Sequence, residues 1–273
     1  MVRSRVMQDT QALRDDRDLP LDRVGVAGLC HPIVVLDRAS EKQRTVGTFA
    51  MSVSLPHEQK GTHMSRFVEV LNDHHGEVTM RTVPRILRDL RDRLDASSAR
   101  VTVDFPYFLE RAAPVSGARA LMDYHCTFVG ELHDGADDFV LGVRVPVTSL
   151  CPCSKAISER GAHNQRGYIT ISVRTGTSLD GEPQLVWIEE LIEVAELSAS
   201  APVYPLLKRP DEKFVTEQAY DNPVFVEDMV RNVARRLQDD PRIAWFEVHA
   251  ENHESIHNHA AFAQVAWSRD GDR

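Results

Sequence analysis

Phe139-Val-Leu-Gly-Val-Arg-Val-Pro-Val147 runs directly into Thr148-Ser-Leu-Cys-Pro-Cys-Ser-Lys155. Apolar Phe139, Leu141, Val143, Val145 and Val147 recur with the period of two that a half-buried strand requires. Arg144 and Pro146 interrupt the string, which falls far short of the roughly 20 apolar residues that cross a bilayer. The same alternation returns upstream, where Val101, Val103 and Phe105 oppose Thr102 and Asp104. It returns downstream, where Ile169, Ile171 and Val173 oppose Tyr168, Thr170 and Ser172. Farther out, residues 24–36 and 45–55 read as extended segments about the charged turn 38–44, which predicts a hairpin. Residues 243–250 and 260–268 predict two closing strands.

Helical signals lie between these strands. Ser65 heads an apolar pattern reaching Leu71, and Thr82 reads as the N-cap of Val83, Ile86, Leu87, Leu90 and Leu94 at helical spacing. In the second half a helix is expected over residues 188–200. Another is expected to open at Asn222-Pro223 and carry Val226, Met229, Val230, Val233, Ala234 and Leu237 on one stripe. Each half then reads strand, helix, helix, strand, with extra strands at the margins, so an internally duplicated α+β fold is expected. A polar arm over 1–22 precedes a first module over 23–150 and a second over 151–273, the latter carrying most of the candidate metal and catalytic residues.

The chain of 273 residues is long enough to bury a sizeable core. It carries 32 Lys and Arg against 41 Asp and Glu, a net charge of −9, with no basic tract. That excludes a protein whose main business is coating nucleic acid, yet leaves room for a small anionic substrate held by a few local cations. The four cysteines form no secreted-type framework, and the Asp- and Arg-rich N-terminus has no apolar signal stretch. A cytoplasmic protein is expected.

Chemistry concentrates in a few words. Cys151 and Cys153 follow a strand, on a loop stiffened by Pro152, and their Cys-x-Cys spacing is not that of a zinc ribbon. His163 stands just before the strand that starts near Arg166. One thiol and one imidazole need a further ligand to make a catalytic metal site, and Glu212, in the expected turn Arg209-Pro-Asp-Glu-Lys213, His257 and His259 are candidates. His257 and His259 share a face if the chain is extended there, as a proton-transfer pair or two ligands; a solvated polar loop is the plainer alternative. Glu227 in the opening turn of a helix suits the helix dipole and is also placed to reach into a site. Lys60, Arg66, Lys155, Arg166, Lys208, Arg209 and Lys213 offer positive charge without any phosphate-loop glycine pattern.

Together, Lys60-Gly-Thr-His-Met-Ser-Arg66, Thr148-Ser-Leu-Cys-Pro-Cys-Ser-Lys155, Gly161-Ala-His-Asn-Gln-Arg166, Leu206-Leu-Lys-Arg-Pro-Asp-Glu-Lys213 and Glu254-Ser-Ile-His-Asn-His259 resemble the prokaryotic type IB GTP cyclohydrolase I family, over residues 24–267. The resemblance implies a tunnelling fold (T-fold), two strand-helix-helix-strand modules whose sheets join those of other subunits in a barrel, and a homo-oligomer, a homotetramer. It implies conversion of GTP and water to 7,8-dihydroneopterin 3'-triphosphate and formate, the first step of tetrahydrofolate synthesis and in some organisms of deazaguanine nucleosides. By motif it implies Cys151, His163 and Glu212 as ligands of a divalent metal, zinc or manganese. His257 and His259 become proton-transfer residues, Glu227 the partner of the guanine N1–H and 2-amino group, and Lys60, His63 and Arg66 triphosphate contacts. Cys153 stands beside Cys151 as a ligand, a redox partner or a bystander.

Two rivals compete with that expectation. One is an NADPH-dependent 7-cyano-7-deazaguanine nitrile reductase, which presents a similar Thr-Ser-Leu-Cys word but uses the cysteine as a covalent nucleophile. His163 and the 257/259 pair favour a metal-dependent hydrolase over it. The other is a non-catalytic metal-binding protein, in which Glu227 and the lysines would be surplus.

Overall fold

The alternation in the sequence extends into strands longer than expected. A computed structural model describes residues 9–269 except 12, 75, 179 and 182. Its first half holds β1 (Leu21–Asp37), β2 (Glu41–Leu55), α1 (Met64–Asp73), α2 (Val83–Leu94), β3 (Ala99–Ala112) and β4 (Arg119–His133). The second holds β5 (Ala136–Leu150), α3 (Pro152–Ile157), β6 (Asn164–Thr175), α4 (Ile188–Glu196), β7 (Ala201–Pro202), α5 (Arg209–Asp221), α6 (Val226–Asp239), β8 (Ile243–Asn252) and β9 (Ala261–Ser268). No helix among the described residues is long and apolar enough to cross a membrane.

The strands overturn the expected T-fold of two strand-helix-helix-strand modules joined in a barrel. Among the described residues they form a nine-stranded antiparallel sheet in the order β1-β2-β3-β4-β5-β6-β8-β9, with β7 paired to β5, accompanied by six helices. The physical reason lies in residues 119–133. There buried Met122, Tyr124, Cys126 and Phe128 alternate with the polar Asp123, His125 and Thr127, so the segment is a strand rather than a connection. With β4 in place, the first half is strand-strand-helix-helix-strand-strand, and the ladder continues into the second half instead of closing on itself.

Two compact units partition the contacts. The first contains residues up to Leu36, Lys42–Phe105 and Phe128–Phe139. Its core sets Phe67, Val70 and Leu71 of α1 and Ile86, Leu87 and Leu90 of α2 among Phe49, Met51, Val101 and Val103 of the sheet, all at most 1 % exposed. Burial of each such side chain contributes about 1.5–3 kcal/mol. Gly130 on β4 lets α2 approach, since a Cβ there would stand 2.3 Å from Val83 Cγ1. Of the expected N-terminal arm, residues 1–8 lie outside the described residues. Beyond them the chain lies along the loop after β2: Gly61 N–H donates to Gln11 (3.2 Å), Lys60 N–H to Leu13 (3.0 Å) and Asp15 N–H to Glu58 (3.1 Å).

The second unit contains Asp37–Glu41, Pro106–Thr127 and residues from Val140 onward. Ile169, Ile171 and Val173 of β6 and Phe246, Val248 and Ala250 of β8 turn one face inward, and α6 supplies Met229, Val233 and Leu237 to the same core. Leu150 pairs with Asn164, and Gly167 with Asn252. Antiparallel pairing in this register therefore brings the end of β5, the start of β6 and the end of β8 to one edge.

Several boundaries differ from expectation. The helix α6 starts at Val226, not at Asn222-Pro223, because the Asn222 amide is used to donate to Ala199 O (2.9 Å) and Ser200 O (3.3 Å). α4 stops at Glu196, and Ser198 Oγ bonds Val194 O at 2.7 Å as the chain turns off. Residues 209–213, expected as a turn, open α5, with Pro in its first turn followed by Asp211 and Glu212.

Candidate active site

Cys151 sits where β5 ends, and the local sequence fixes it by capping. It is the N-cap of α3, Pro152 takes the first helical position, and the Cys151 thiol accepts from Ser154 N–H at 3.4 Å. Ser154 Oγ donates to Cys151 O at 3.1 Å and accepts from His163 N–H at 3.2 Å. Cys151 N–H donates to His163 O at 3.1 Å. The 151–163 loop is thus stapled at its neck, with the candidate thiol on one side and the candidate imidazole on the other. Cys151 is half-buried, while Cys153, inside the short α3 rather than on an open loop, is exposed; all four cysteines are free.

His163 is tied to a buried polar group that the sequence reading missed. Its Nδ1 lies 2.9 Å from Gln165 Oε1, 3.5 Å from Ser255 Oγ and 4.0 Å from Glu254 Oε2. Gln165 Nε2 reaches Ser149 Oγ at 3.5 Å, Asn252 Nδ2 reaches the same oxygen at 3.0 Å, and Ser149 Oγ donates to Val224 O at 3.1 Å. Ser149 and Gln165 stand inside quoted words and Asn252 two residues before one, and what marks all three is their burial, which residue type does not reveal. Glu254 was likewise inside a quoted word but given no role.

Glu227 lies exposed in the first turn of α6, three residues beyond Val224, whose N–H donates to Leu150 O at 3.1 Å. That bond seats the start of the helix against the residue preceding Cys151. His257 and His259 belong to the β8–β9 connection rather than to an extended segment, and their rings still stack, 5.1 Å apart at 18°. The same connection is drawn to His163 by Ser255 and to β6 by His253 N–H, which donates to Arg166 O at 2.9 Å.

Glu212 is not brought to this group. It is exposed in the first turn of α5, whereas the last turn of that helix meets α3 through Lys155, whose ammonium bonds Tyr220 O and covers the Tyr220 ring at 4.3 Å. The stretch of helix from Glu212 to Tyr220 is roughly 12 Å. Asp211 beside it is fully buried and accepts from Val115 N–H, Ser116 N–H, Ser116 Oγ and Lys208 N–H at 2.6–2.8 Å. Burial alone would raise the Asp211 pKa, but the Ser116 hydroxyl and three backbone donors hold it below the usual carboxylate range. This carboxylate anchors the α5 N-terminus to the β3–β4 turn. Among the described residues no three or more His, Cys, Asp and Glu converge as a metal-binding set.

Lys60, His63 and Arg66 lie in the first unit. His63 occupies the N-cap position of α1 and its ring pairs with Asp9 at 3.0 Å, Arg66 donates to Arg93 O at 2.8 Å, and Lys60 is exposed. Of the other basic candidates, Arg166 lines a cavity of about 460 Å³ in the second unit with His125, Arg144 and Tyr168, where the Arg144 guanidinium covers the Tyr168 ring at 3.9 Å.

Comparison with known proteins supplies what the geometry does not. A family model described as type I GTP cyclohydrolase FolE2 matches residues 7–263. The GTP cyclohydrolase FolE2 of Syntrophotalea carbinolica is 55% identical over 261 residues, 96% of this chain and 95% of that protein. That of Methylococcus capsulatus is 54% identical over 259 residues, 95% and 94% of the two chains. Among solved structures, uricase from Arthrobacter globiformis superposes with a TM-score of 0.55 at 12% identity, over 92% of this chain and 95% of its own. Urate oxidase from Bacillus subtilis gives 0.52 at 9% identity, over 91% and 99%. At such identities the likeness concerns the fold alone.

Proposed function

This chain belongs to the FolE2 family of type I GTP cyclohydrolases, and from that membership we propose how its residues divide the work. The enzyme converts GTP and water to 7,8-dihydroneopterin 3'-triphosphate and formate, the first step of tetrahydrofolate synthesis. The observation that supports the assignment of the centre is the 3.1 Å bond from Cys151 N–H to His163 O, which pairs the backbones of the candidate thiol and imidazole residues at the neck of the loop.

A borderline thiol and an imidazole suit a divalent cation of the zinc or manganese kind, so this pair fits such an ion. Cys151 and His163 would hold it; the resemblance names Glu212 as the third ligand, and in this structure Glu212 stands apart from the pair, in the first turn of α5. When bound, the cation supplies a water of lowered pKa and stabilises negative charge. The remaining work falls to the chain itself. Glu227 accepts from the guanine N1–H and 2-amino group, a pair of adjacent donors that adenine lacks. His257 and His259 move protons at the imidazole ring of the base as it opens, N7 being the atom that must gain one. Lys60, His63 and Arg66 neutralise the triphosphate. Cys153, exposed and two residues from Cys151, stands beside the centre as a ligand, a redox partner of Cys151 or a bystander.

The test pairs substrate with recognition. Incubation with GTP should release formate and a fluorescent pterin, ATP should release neither, and a chelator should stop the reaction until zinc or manganese is returned. Glu227→Ala should weaken GTP binding at least about tenfold, since a hydrogen bond to a charged group is worth roughly 1.5–3 kcal/mol, while cation content stays at the parent level. Calorimetry giving the parent's GTP affinity in a folded Glu227→Ala protein would remove this residue from the site.

We further propose a homo-oligomer, specifically a homotetramer, in the cytoplasm. β1 and β9 stand at the two ends of the sheet order, each with one side open to another strand among the described residues. Free rather than bridged cysteines agree with a reducing compartment. Light scattering should find the assembly at assay concentration, and a stable, active monomer would contradict it.

A further inference from the structure

We infer that Gln165 and Ser149 are positioning residues that fix the tautomer of His163, placing its proton on Nδ1 and leaving the Nε2 lone pair free. The inference rests on the reading of His163 as a cation ligand only for its consequence, not for the tautomer itself.

The direction of every bond in the buried group follows from one fixed point. Val224 O can only accept, and Ser149 Oγ donates its single proton to it at 3.1 Å. Ser149 Oγ then has only lone pairs to offer, and both neighbouring amides must present nitrogen to it: Asn252 Nδ2 at 3.0 Å and Gln165 Nε2 at 3.5 Å. With its nitrogen so engaged, Gln165 turns its oxygen to His163, 2.9 Å from Nδ1. An amide oxygen only accepts, so Nδ1 carries the hydrogen. Glu254 Oε2, at 4.0 Å from the same nitrogen, is a second group that favours a proton there.

In this arrangement one buried acceptor of the group, Asn252 Oδ1, has no hydrogen-bond partner among the described residues. Ser149, Gln165 and Asn252 are 1 %, 7 % and 2 % exposed, so water does not substitute for a missing partner. Gly167 makes room for it, because a Cβ there would stand 2.4 Å from Asn252 Oδ1. A ligating imidazole whose other nitrogen donates to a buried acceptor is held in tautomer and orientation, and loss of that acceptor typically costs 10- to 100-fold in metal affinity. The same serine joins three chain segments, through Leu150 to Cys151, through Val224 to the helix of Glu227, and through Asn252 to the connection bearing His257 and His259.

Nitrogen NMR of the cation-free protein above about pH 8, where imidazoles are neutral, reads the tautomer directly. The His163 signals are identified by their loss in His163→Gln. The parent should show Nδ1 protonated and Nε2 bare. Gln165→Leu should shift His163 toward the Nε2–H form and lower zinc or manganese affinity, measured by chelator competition, by roughly 10- to 100-fold. Gln165→Glu, which keeps an acceptor toward Nδ1, should restore both. Should Gln165→Leu fail to fold, Ser149→Ala frees the amide to turn over and should give a mixture of tautomers. An Nε2–H tautomer in the parent, or an unchanged tautomer in both variants, overturns the inference. Cation affinity indifferent to His163→Gln would sink the ligand reading instead, with the tautomer measured independently of it.

Discussion

Cys151→Ala is expected to leave a folded protein that holds no divalent cation and has no measurable GTP turnover. The fold should survive because Cys151 contributes little apolar burial and its main structural bonds, N–H to His163 O and O from Ser154 Oγ, are made by backbone atoms that alanine retains. Only the 3.4 Å cap from Ser154 N–H to the thiol is lost from the six-residue α3. The cation should leave because a single imidazole and a carboxylate make a far weaker site for a borderline metal than the same pair with a thiolate. Elemental analysis after dialysis reads the first effect and formate release the second. Full metal occupancy in this variant would show that the centre lies elsewhere. Cys151→Ser separates the ligand role from a nucleophilic one: an oxygen ligand should retain weak, excess-metal-dependent turnover, whereas covalent chemistry at sulfur would not tolerate it.

His259→Asn is expected to lower kcat by roughly 100- to 10,000-fold with little change in KM, the size and pattern of a lost proton-transfer group. Asparagine preserves polarity and approximate volume, so a merely structural histidine on this exposed connection would be replaced at little cost. His257→Asn should act in the same direction, since the two rings are stacked 5.1 Å apart and a proton held by one is felt by the other. Steady-state kinetics with GTP decide the matter. Parent-like turnover in both variants would return the His-Asn-His word to ordinary loop chemistry.

The strands and the two long apolar stripes, on α2 and α6, were legible because burial on one face imposes a period that survives any detail of packing. β4 was not, since its second face carries Asp123, His125 and Thr127 and the segment reads as polar until its partners are known. α5 was lost to its own start signal: Arg209-Pro-Asp-Glu looks like a turn when the residues after it, with only Asp211 and Ala219 buried, lack a strong apolar stripe. Among the candidate site residues, Cys151, His163, Glu227 and the histidine pair stand out by residue type and position in the sequence. Ser149, Gln165 and Asn252 did not, because what makes them important is the absence of water around them, a property of the tertiary structure. The distance of Glu212 from Tyr220 along a helix was equally unreadable while 209–213 passed for a turn.

The strip of chain that lies along residues 58–63 bears on how the protein is handled. Three backbone hydrogen bonds from Lys60, Gly61 and Asp15, together with Gln11 Nε2 donating to Thr62 O at 2.9 Å, lend order to a loop that has no helix or sheet of its own. Deleting the chain up to residue 17 removes those partners, and each freed loop residue then regains about 1–2 kcal/mol of backbone entropy, which the triphosphate contacts proposed for Lys60 and His63 would have to offset again on binding. A shortened protein can therefore melt at nearly the parental temperature and still need more GTP to saturate, a defect that a thermal screen of truncations would pass over.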